Sequence, residues 1–267
     1  MSPRSSQDDG RAGSSRALLE RRDAPLESGA VPGRRLRRVV LAGDSTVAPY
    51  VATAYPMSGW GAHLGAALTA RCTAGGGPAS PFHVIDLAKN GATTESHRVD
   101  GLWDAVLDAL APGDMVLLQF GHNDQKHKHL TAWTGYTANL ARMLTEAQEQ
   151  DAHPVLCTPV ARRHYADGTL LRTHGEHPTA VLALAETFDV PVLNLQARTR
   201  ALITSLGEEP SRRLFTQLPA GQSGLYPEGI EDNTHFSVEG AIAVAEIVAE
   251  LLAPLLRDLV AAEHERG

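Results

Sequence analysis

The sequence predicts an α/β domain: a five-stranded parallel sheet with helices on both faces. Two observations carry this. Strand-like apolar runs and helical patterns alternate five times along the chain, the order that builds a parallel sheet through right-handed crossovers. The run from Asp114 to Phe120 is also almost continuously apolar, as expected of a central strand buried on both faces.

Taken in order, residues 1–37 are rich in Ser, Gly, Pro and Arg with no apolar h-region. They read as a disordered tail without a signal peptide, and residues 38–267 as one domain of ordinary size. The first strand, Arg37 to Ala42, stops at Gly43-Asp44-Ser45-Thr46. A helix from Gly59 to Arg71 carries Trp60, Leu64, Ala67 and Leu68 at helical spacing. A Gly/Pro loop, Thr73 to Pro81, leads to a strand over Phe82–Leu87 that exits at Asn90-Gly91. Val99 to Leu110 reads as one amphipathic helix, with Trp103 on its apolar face, broken by Pro112-Gly113. The central strand follows and exits into Gly121-His122-Asn123-Asp124. A helix over Tyr136–Gln150 and a strand over Pro154–Val160 come next, then a loop from Ala161 to His177. That loop is long for a connector, which suits a functional rim. A helix over Pro178–Phe188, a strand over Val190–Leu195 and a helix over Gln196–Leu206 follow. A second long loop, Gly207 to Thr234, precedes the last helix, Val238 to Leu259, which contains Pro254.

Composition excludes several classes. An apolar fraction of 43% and a charged fraction of 21% are those of a globular protein. Two cysteines give no disulfide framework, and Cys157, inside an apolar run, reads as a buried thiol. No window approaches the ~18 apolar residues of a membrane span. Residues 1–38 hold nine Arg and five acids, so the total of −7 leaves a body near −11. An acidic body argues against a nucleic-acid partner. The missing signal and disulfides lead to a cytoplasmic expectation.

In parallel α/β sheets, ligands sit beyond the carboxyl ends of the strands. Ser45, Gly91 and the 121–124 cluster all lie at such ends, so they should converge. Ser45 is the candidate nucleophile. A serine hydroxyl needs a base to take its proton, a third group to orient that base, and donors for the oxyanion. His235 is the candidate base, with Asp232 three residues earlier to reach its Nδ1–H. Ser237 reads as the cap of the last helix. His122 competes as base, but its place in a strand exit suggests that it lines the site. The oxyanion donors would be the Ser45 and Gly91 amides and the Asn123 side chain. Asp44 reads as a residue that fixes the nucleophile turn, and Asp124 as one that orders its own loop.

These blocks together resemble the SGNH (GDSL-type) hydrolase superfamily: Gly43-Asp44-Ser45, Gly91, Gly121-His122-Asn123-Asp124 and Asp232-Asn233-Thr234-His235, in order. Thr46, Gly59-Trp60-Gly61, Thr158 to Arg163 and Tyr226-Pro227-Glu228-Gly229 look like its rhamnogalacturonan acetylesterase branch. The resemblance implies a three-layer α/β/α sandwich of flavodoxin-like SGNH type. It implies Ser45, Asp232 and His235 as triad, Gly91 and Asn123 in the oxyanion hole, and cofactor-free deacetylation of carbohydrate. Ala92 and Thr93 depart from the branch, where an Arg and a Ser usually follow the glycine. The acidic body suits a galacturonate-rich polymer poorly unless Arg162 and Arg163 gather at the cleft, so a short acetylated oligosaccharide fits better. His122, Trp133 and Arg162 are the candidate substrate contacts. His127-Lys128-His129 and His174-Gly175-Glu176-His177 have no catalytic zinc spacing and read as loop histidines, so no metal is expected. The alternatives are a lipase or thioesterase on the same scaffold, or a carbohydrate-binding protein without turnover.

Overall fold

Strand polarity and crossover order decide where the site lies. The computed structural model describes residues 38–74 and 82–266; the expected N-terminal tail and most of the Gly/Pro loop after residue 74 lie outside them. Five strands form one sheet: β1 (Arg38–Gly43), β2 (His83–Asp86), β3 (Met115–Gln119), β4 (His153–Cys157) and β7 (Val192–Leu193). Their order is β2-β1-β3-β4-β7, and every pairing is parallel. The order reverses direction between β1 and β3, a switch point at which the loops after both strands leave a crevice.

The alternation of side chains along each strand sorts the core into two halves. Val39, Leu41, Leu117, Val155 and Cys157 face one side. There they meet α1 (Gly61–Ala74), α6 (Leu195–Leu206) and α7 (Val238–Arg266). Val40, Ala42, Val116, Leu118 and Leu156 face the other. That face is covered by α3 (Leu102–Ala109), α4 (Thr137–Glu149) and α5 (His177–Phe188). Both sheet faces are therefore dry, which explains the unbroken apolar run of β3. Trp103 is buried as expected, and its indole N–H donates to Glu146 at 2.6 Å. Cys157 is buried in the first half of the core, and burial pushes its thiol well up.

Three sequence expectations need correction. The helix expected from Val99 to Leu110 begins only at Leu102, as α3, and Val99 instead ends a separate short helix, α2 (Thr94–Val99). Gly101, at φ +75°, breaks them apart, and Val99 ends up 79% exposed. The Thr93 hydroxyl opens α2 by accepting from the Ser96 amide, while Ser96 Oγ accepts from the Thr93 amide, a reciprocal cap. The loop after Ala161 contains a small hairpin, β5 (Tyr165–Ala166) and β6 (Thr169–Leu170), turning on Asp167-Gly168. The expected loop from Gly207 to Thr234 holds a second hairpin, β8 (Phe215–Leu218) and β9 (Ile230–Phe236). The last helix runs unbroken through Pro254. Ser237 does cap it, accepting from the Gly240 amide at 3.2 Å.

Asp86 ends β2 under the start of α1. Its Oδ1 accepts from the Ala88 amide at 3.0 Å, whereas Oδ2 has no hydrogen-bond partner among the described residues. A Cβ at Gly61 would fall 2.2 Å from that oxygen. Burial pushes the carboxyl up to about 7, against a smaller opposing effect of the Ala88 amide. Between pH 3.8 and about 7 the folded chain therefore holds a proton that the unfolded chain has released, and stability falls as pH rises through that window. Asp86→Asn, neutral and of the same shape, is expected to raise the thermal unfolding midpoint at pH 8 and to leave it nearly unchanged at pH 4. Thermal melts of both proteins across this range check it; a difference independent of pH would contradict it.

Candidate active site

The turn that carries Ser45 is built around a buried carboxylate. β1 ends at Gly43, and the chain turns so that the Val47 and Ala48 amides both donate to the Asp44 carbonyl at 3.1 Å. Asp44 Oδ1 accepts from the Thr46 amide at 3.0 Å and from its hydroxyl at 2.8 Å. Its Oδ2 accepts from His122 Nδ1 at 3.0 Å. Burial alone would raise the Asp44 pKa; the His122 imidazole and the Thr46 donors outweigh it and hold the carboxyl below its usual range. Asp44 thus fixes the turn, and it also joins the exits of β1 and β3.

Thr46 has a second partner. Its hydroxyl accepts from Gln119 Nε2 at 2.8 Å, and Gln119 Oε1 accepts from the buried indole of Trp60 at 2.9 Å. A leucine at position 46 would leave that buried amide short of a partner, at a cost of about 1–3 kcal/mol. The glycines flanking Trp60 are steric requirements. A Cβ at Gly59 would lie 2.2 Å from the Ala48 carbonyl, and one at Gly61 would lie 2.8 Å from that of Val47.

His235 and Asp232 reach the serine through a break in the β8–β9 ladder. Gln217 pairs with Glu231 and Phe215 pairs with Phe236, so Thr216 on one strand faces Asp232 to His235 on the other. The surplus residues bulge out of the sheet. Within the bulge Asp232 Oδ1 accepts from the Thr234 and His235 amides at 2.7 and 2.8 Å. Its Oδ2 meets His235 Nδ1 at 2.6 Å, and His235 Nε2 lies 3.0 Å from Ser45 Oγ. Burial raises the Asp232 pKa, but the His235 imidazole and the two amides outweigh it, so the carboxyl sits below its ordinary value. An ionised Asp232 only accepts, so Nδ1 carries the proton and Nε2 is left to accept from the Ser45 hydroxyl.

Arg163 holds the bulge from behind. Its amide donates to the Asn233 carbonyl and its Nη1 to Asn233 Oδ1, each at 2.9 Å. Its Nη2 and Nε donate to the Glu208 carbonyl at 2.7 and 3.1 Å. Arg163 is 6% exposed, so of the arginine pair expected at the cleft it is a buried brace and not a surface charge.

A cleft of about 590 Å³ opens over Ser45 and His235, with Gly91, His122, Asn123 and Arg162 on its walls. Gly91 takes φ +78°, a conformation that favours glycine, and a Cβ there would meet nothing within 4 Å. Backbone shape, not crowding, calls for glycine here. Among the described residues, no acceptor takes the Ser45 or Gly91 N–H. Asn123 Nδ2 donates to the Ala92 carbonyl at 3.0 Å, which occupies one of its two hydrogens.

The remaining candidates divide. His122 lines the cleft, but its Nδ1 is taken by Asp44, and its ring packs edge-on against His174 with centroids 4.4 Å apart. Arg162 lines the cleft too, while its Nη2 donates to the His122 carbonyl at 3.0 Å. Trp133 is half exposed on a five-residue π-helical turn, Ala132–Tyr136, and is not on the cleft wall. Asp124 does not order only its own loop. Its Oδ1 accepts from the Thr94 amide and hydroxyl at 2.9 and 2.6 Å, tying the β3 exit to the start of α2. His174 and His177 are buried rather than loop-exposed, at 1% and 6% exposure. Burial, with His122 and Arg162 nearby, keeps His174 neutral by driving its pKa far down. Among the described residues no group of three His, Cys, Asp or Glu side chains could hold a metal, and no helix is long and apolar enough to cross a membrane.

Sequence reasoning missed Gln119, Arg163 as a brace, and Lys126, whose Nζ donates to Asn123 Oδ1 at 2.9 Å. Lys126 stands three residues after Asn123, a spacing that brings side chains together on one turn, and so was within reach of inspection. Gln119 and Arg163 act on partners distant in sequence and carry no local signal.

Comparisons with known proteins agree with this geometry. The profile of the GDSL-like Lipase/Acylhydrolase family matches residues 41–241. The rhamnogalacturonan acetylesterase RhgT of Bacillus subtilis (strain 168) is 40% identical over 214 residues, 80% of this chain and 88% of that protein. The probable rhamnogalacturonan acetylesterase YesY of the same organism is 32% identical over 83% of this chain and 97% of its own length. Among solved structures, protein YxiM of Bacillus subtilis superposes with a TM-score of 0.68 at 25% identity, covering 83% of this chain and 57% of that one. The acetylxylan esterase Axe2 of Geobacillus stearothermophilus gives a TM-score of 0.57 over 81% of this chain and 94% of that one; at 19% identity the likeness is one of fold. With its strand order, its site blocks and these matches in agreement, the chain belongs to the GDSL-like lipase/acylhydrolase family of ester hydrolases.

Proposed function

We propose that the chain is a serine esterase that removes O-acetyl groups from a carbohydrate, with Ser45, His235 and Asp232 as its catalytic triad. One observation carries the reading: a continuous chain of contacts, 3.0 Å from Ser45 Oγ to His235 and 2.6 Å on to Asp232, at the floor of an open cleft. The Ser45 and Gly91 amides and the Asn123 side chain face the same cleft as oxyanion donors.

The chemistry follows from those positions. Ser45 Oγ attacks the acetyl carbonyl carbon as its proton passes to His235 Nε2. Asp232 stabilises the imidazolium and keeps its ring in place. The carbonyl oxygen gathers negative charge and is met by the donors, which are already in position. Collapse breaks the bond to the sugar oxygen, which leaves with the proton from His235. Water then attacks the acetyl-serine, giving its proton to His235; release of acetate restores the Ser45 hydroxyl.

The substrate class comes from the relatives. Two proteins named as rhamnogalacturonan acetylesterases, established or probable, align with most of this chain at 40% and 32% identity. Arg162 and Lys126 on the cleft wall supply local positive charge within an acidic body. An acetylated, uronate-containing oligosaccharide is thus the preferred substrate under this reading.

Ser45→Ala is expected to lower turnover of p-nitrophenyl acetate by at least about 10⁴-fold with its melting temperature retained; undiminished turnover would sink the assignment. Asp232→Asn keeps an oxygen for the Thr234 and His235 amides but faces His235 Nδ1 with an N–H donor. That forces the wrong tautomer, and no carbonyl among the described residues accepts from Nδ1 in its place. The expected loss of kcat is about 10³- to 10⁴-fold, measured by steady-state kinetics. Acetate release should be faster from acetylated rhamnogalacturonan fragments than from acetylated xylo-oligosaccharides, and p-nitrophenyl octanoate should be a poor substrate. A preference for the octanoyl ester would point to a lipase. A fluorophosphonate probe should label Ser45; a carbohydrate-binding protein without turnover would not react.

A further inference from the structure

Among the proposed oxyanion donors Asn123 is the one side chain, and a side-chain amide can turn. Asn123 is held at both ends. Nδ2 donates to the Ala92 carbonyl at 3.0 Å, and Oδ1 accepts from Lys126 Nζ at 2.9 Å. A flipped amide would set N–H against ammonium and oxygen against carbonyl, two repulsive contacts, so a single orientation survives. In that orientation no acceptor among the described residues takes the second Nδ2 hydrogen. The Ala92 carbonyl follows Gly91 directly, so the clamp also sets the distance between the Asn123 side chain and the Gly91 amide.

Lys126 arrives there by local geometry. It closes the 3₁₀ turn Asp124–Lys126, and its own amide donates to the Asn123 carbonyl at 2.9 Å. The turn carries its side chain back over Asn123 and onto the cleft wall. We infer that Lys126 is a positioning residue for the oxyanion hole: its ammonium locks the Asn123 amide and polarises its remaining N–H. The inference rests on the serine-esterase reading above and assigns a role to a residue outside the triad and the donor set.

The physical consequence is specific. The ammonium draws electron density toward Oδ1, so the remaining N–H becomes a stronger donor. The gain rises as charge forms on the carbonyl oxygen and is small for the uncharged ester, so it belongs to the transition state and to kcat. Lys126 is exposed, and water tempers its charge. Its removal should therefore cost less than loss of the donor itself.

The test uses the full chain and p-nitrophenyl acetate. Lys126→Met keeps the aliphatic stem and removes the charge and the hydrogen bond. It is expected to lower kcat roughly 5- to 30-fold, against about 100- to 1,000-fold for Asn123→Ala, with KM and the unfolding midpoint unchanged. Lys126→Arg should recover most of the rate. In the Asn123→Ala background, Lys126→Met should have almost no further effect, because the lysine acts through the asparagine. A loss confined to KM would make Lys126 a substrate contact and overturn the inference, as would a loss that simply adds to that of Asn123→Ala. Ser45→Ala, run alongside, tests the underlying reading separately. An active Ser45→Ala enzyme refutes the serine mechanism, whereas an inactive one combined with wild-type kcat in Lys126→Met refutes only the role of the lysine.

Discussion

Asp44 is a charge with no exposure to water, and the site depends on how that charge is satisfied. An unpaired buried carboxylate would take up a proton or unfold the turn. Asp44 avoids both by drawing donors from two neighbouring strand exits: the Thr46 amide and hydroxyl after β1, and His122 after β3. Gln119, Trp60 and the Thr46 hydroxyl extend the network into the core. The serine lies between Asp44 and Thr46, so its backbone is fixed on both sides while its own amide and hydroxyl stay uncommitted to this network. The Asp44 carboxylate, the Thr46 hydroxyl and the Gln119 amide satisfy one another, and removing one of them leaves another buried and short of a partner.

This explains a division of labour in the fold. The parallel sheet supplies the Ser45 turn, the Gly91 turn and Asn123 from the exits of β1, β2 and β3. Asp232 and His235, the proposed carboxylate and base, come from an antiparallel arm, where the surplus of residues between the Phe215–Phe236 and Gln217–Glu231 pairs carries them toward Ser45. Arg163 then fixes the arm to the loop after β4 through Asn233. Asn233 is thus the joint by which the body of the protein holds the segment that carries His235.

What could be read in the sequence follows from which forces are local. The alternation of apolar runs revealed the sheet, because burial on both faces leaves few polar positions in Val39 to Ala42 or Met115 to Leu118. The site blocks were visible because each residue stands at a strand exit or within a few residues of its partner, as Asp232 does with His235. The β8–β9 hairpin was not visible. Glu231 to His235 is a run of polar residues, and a bulged strand has no period-2 pattern to detect. The split between α2 and α3 was missed because Val99 fits the apolar spacing of the helix after it, and only the backbone at Gly101 reveals the break. Trp133 was placed by its nearness in sequence to Asn123, but the intervening turn carries it off the cleft wall.

The charge of the site runs against the charge of the molecule. The chain carries −7 overall, yet the cleft sets Arg162 and Lys126 around the Ser45 hydroxyl. Both cationic groups are held by the loop after β3, Arg162 through the His122 carbonyl and Lys126 through Asn123 Oδ1. An acetyl group offers a site little to grip: a methyl and one carbonyl oxygen. On the proposed reading, selectivity for it comes from where that oxygen is allowed to become negative, which is set by the placement of the Ser45, Gly91 and Asn123 donors. On the same reading, positive charge held against Asn123 serves the transition state first, and an acidic sugar only where its carboxylate lies within reach of Arg162 and Lys126.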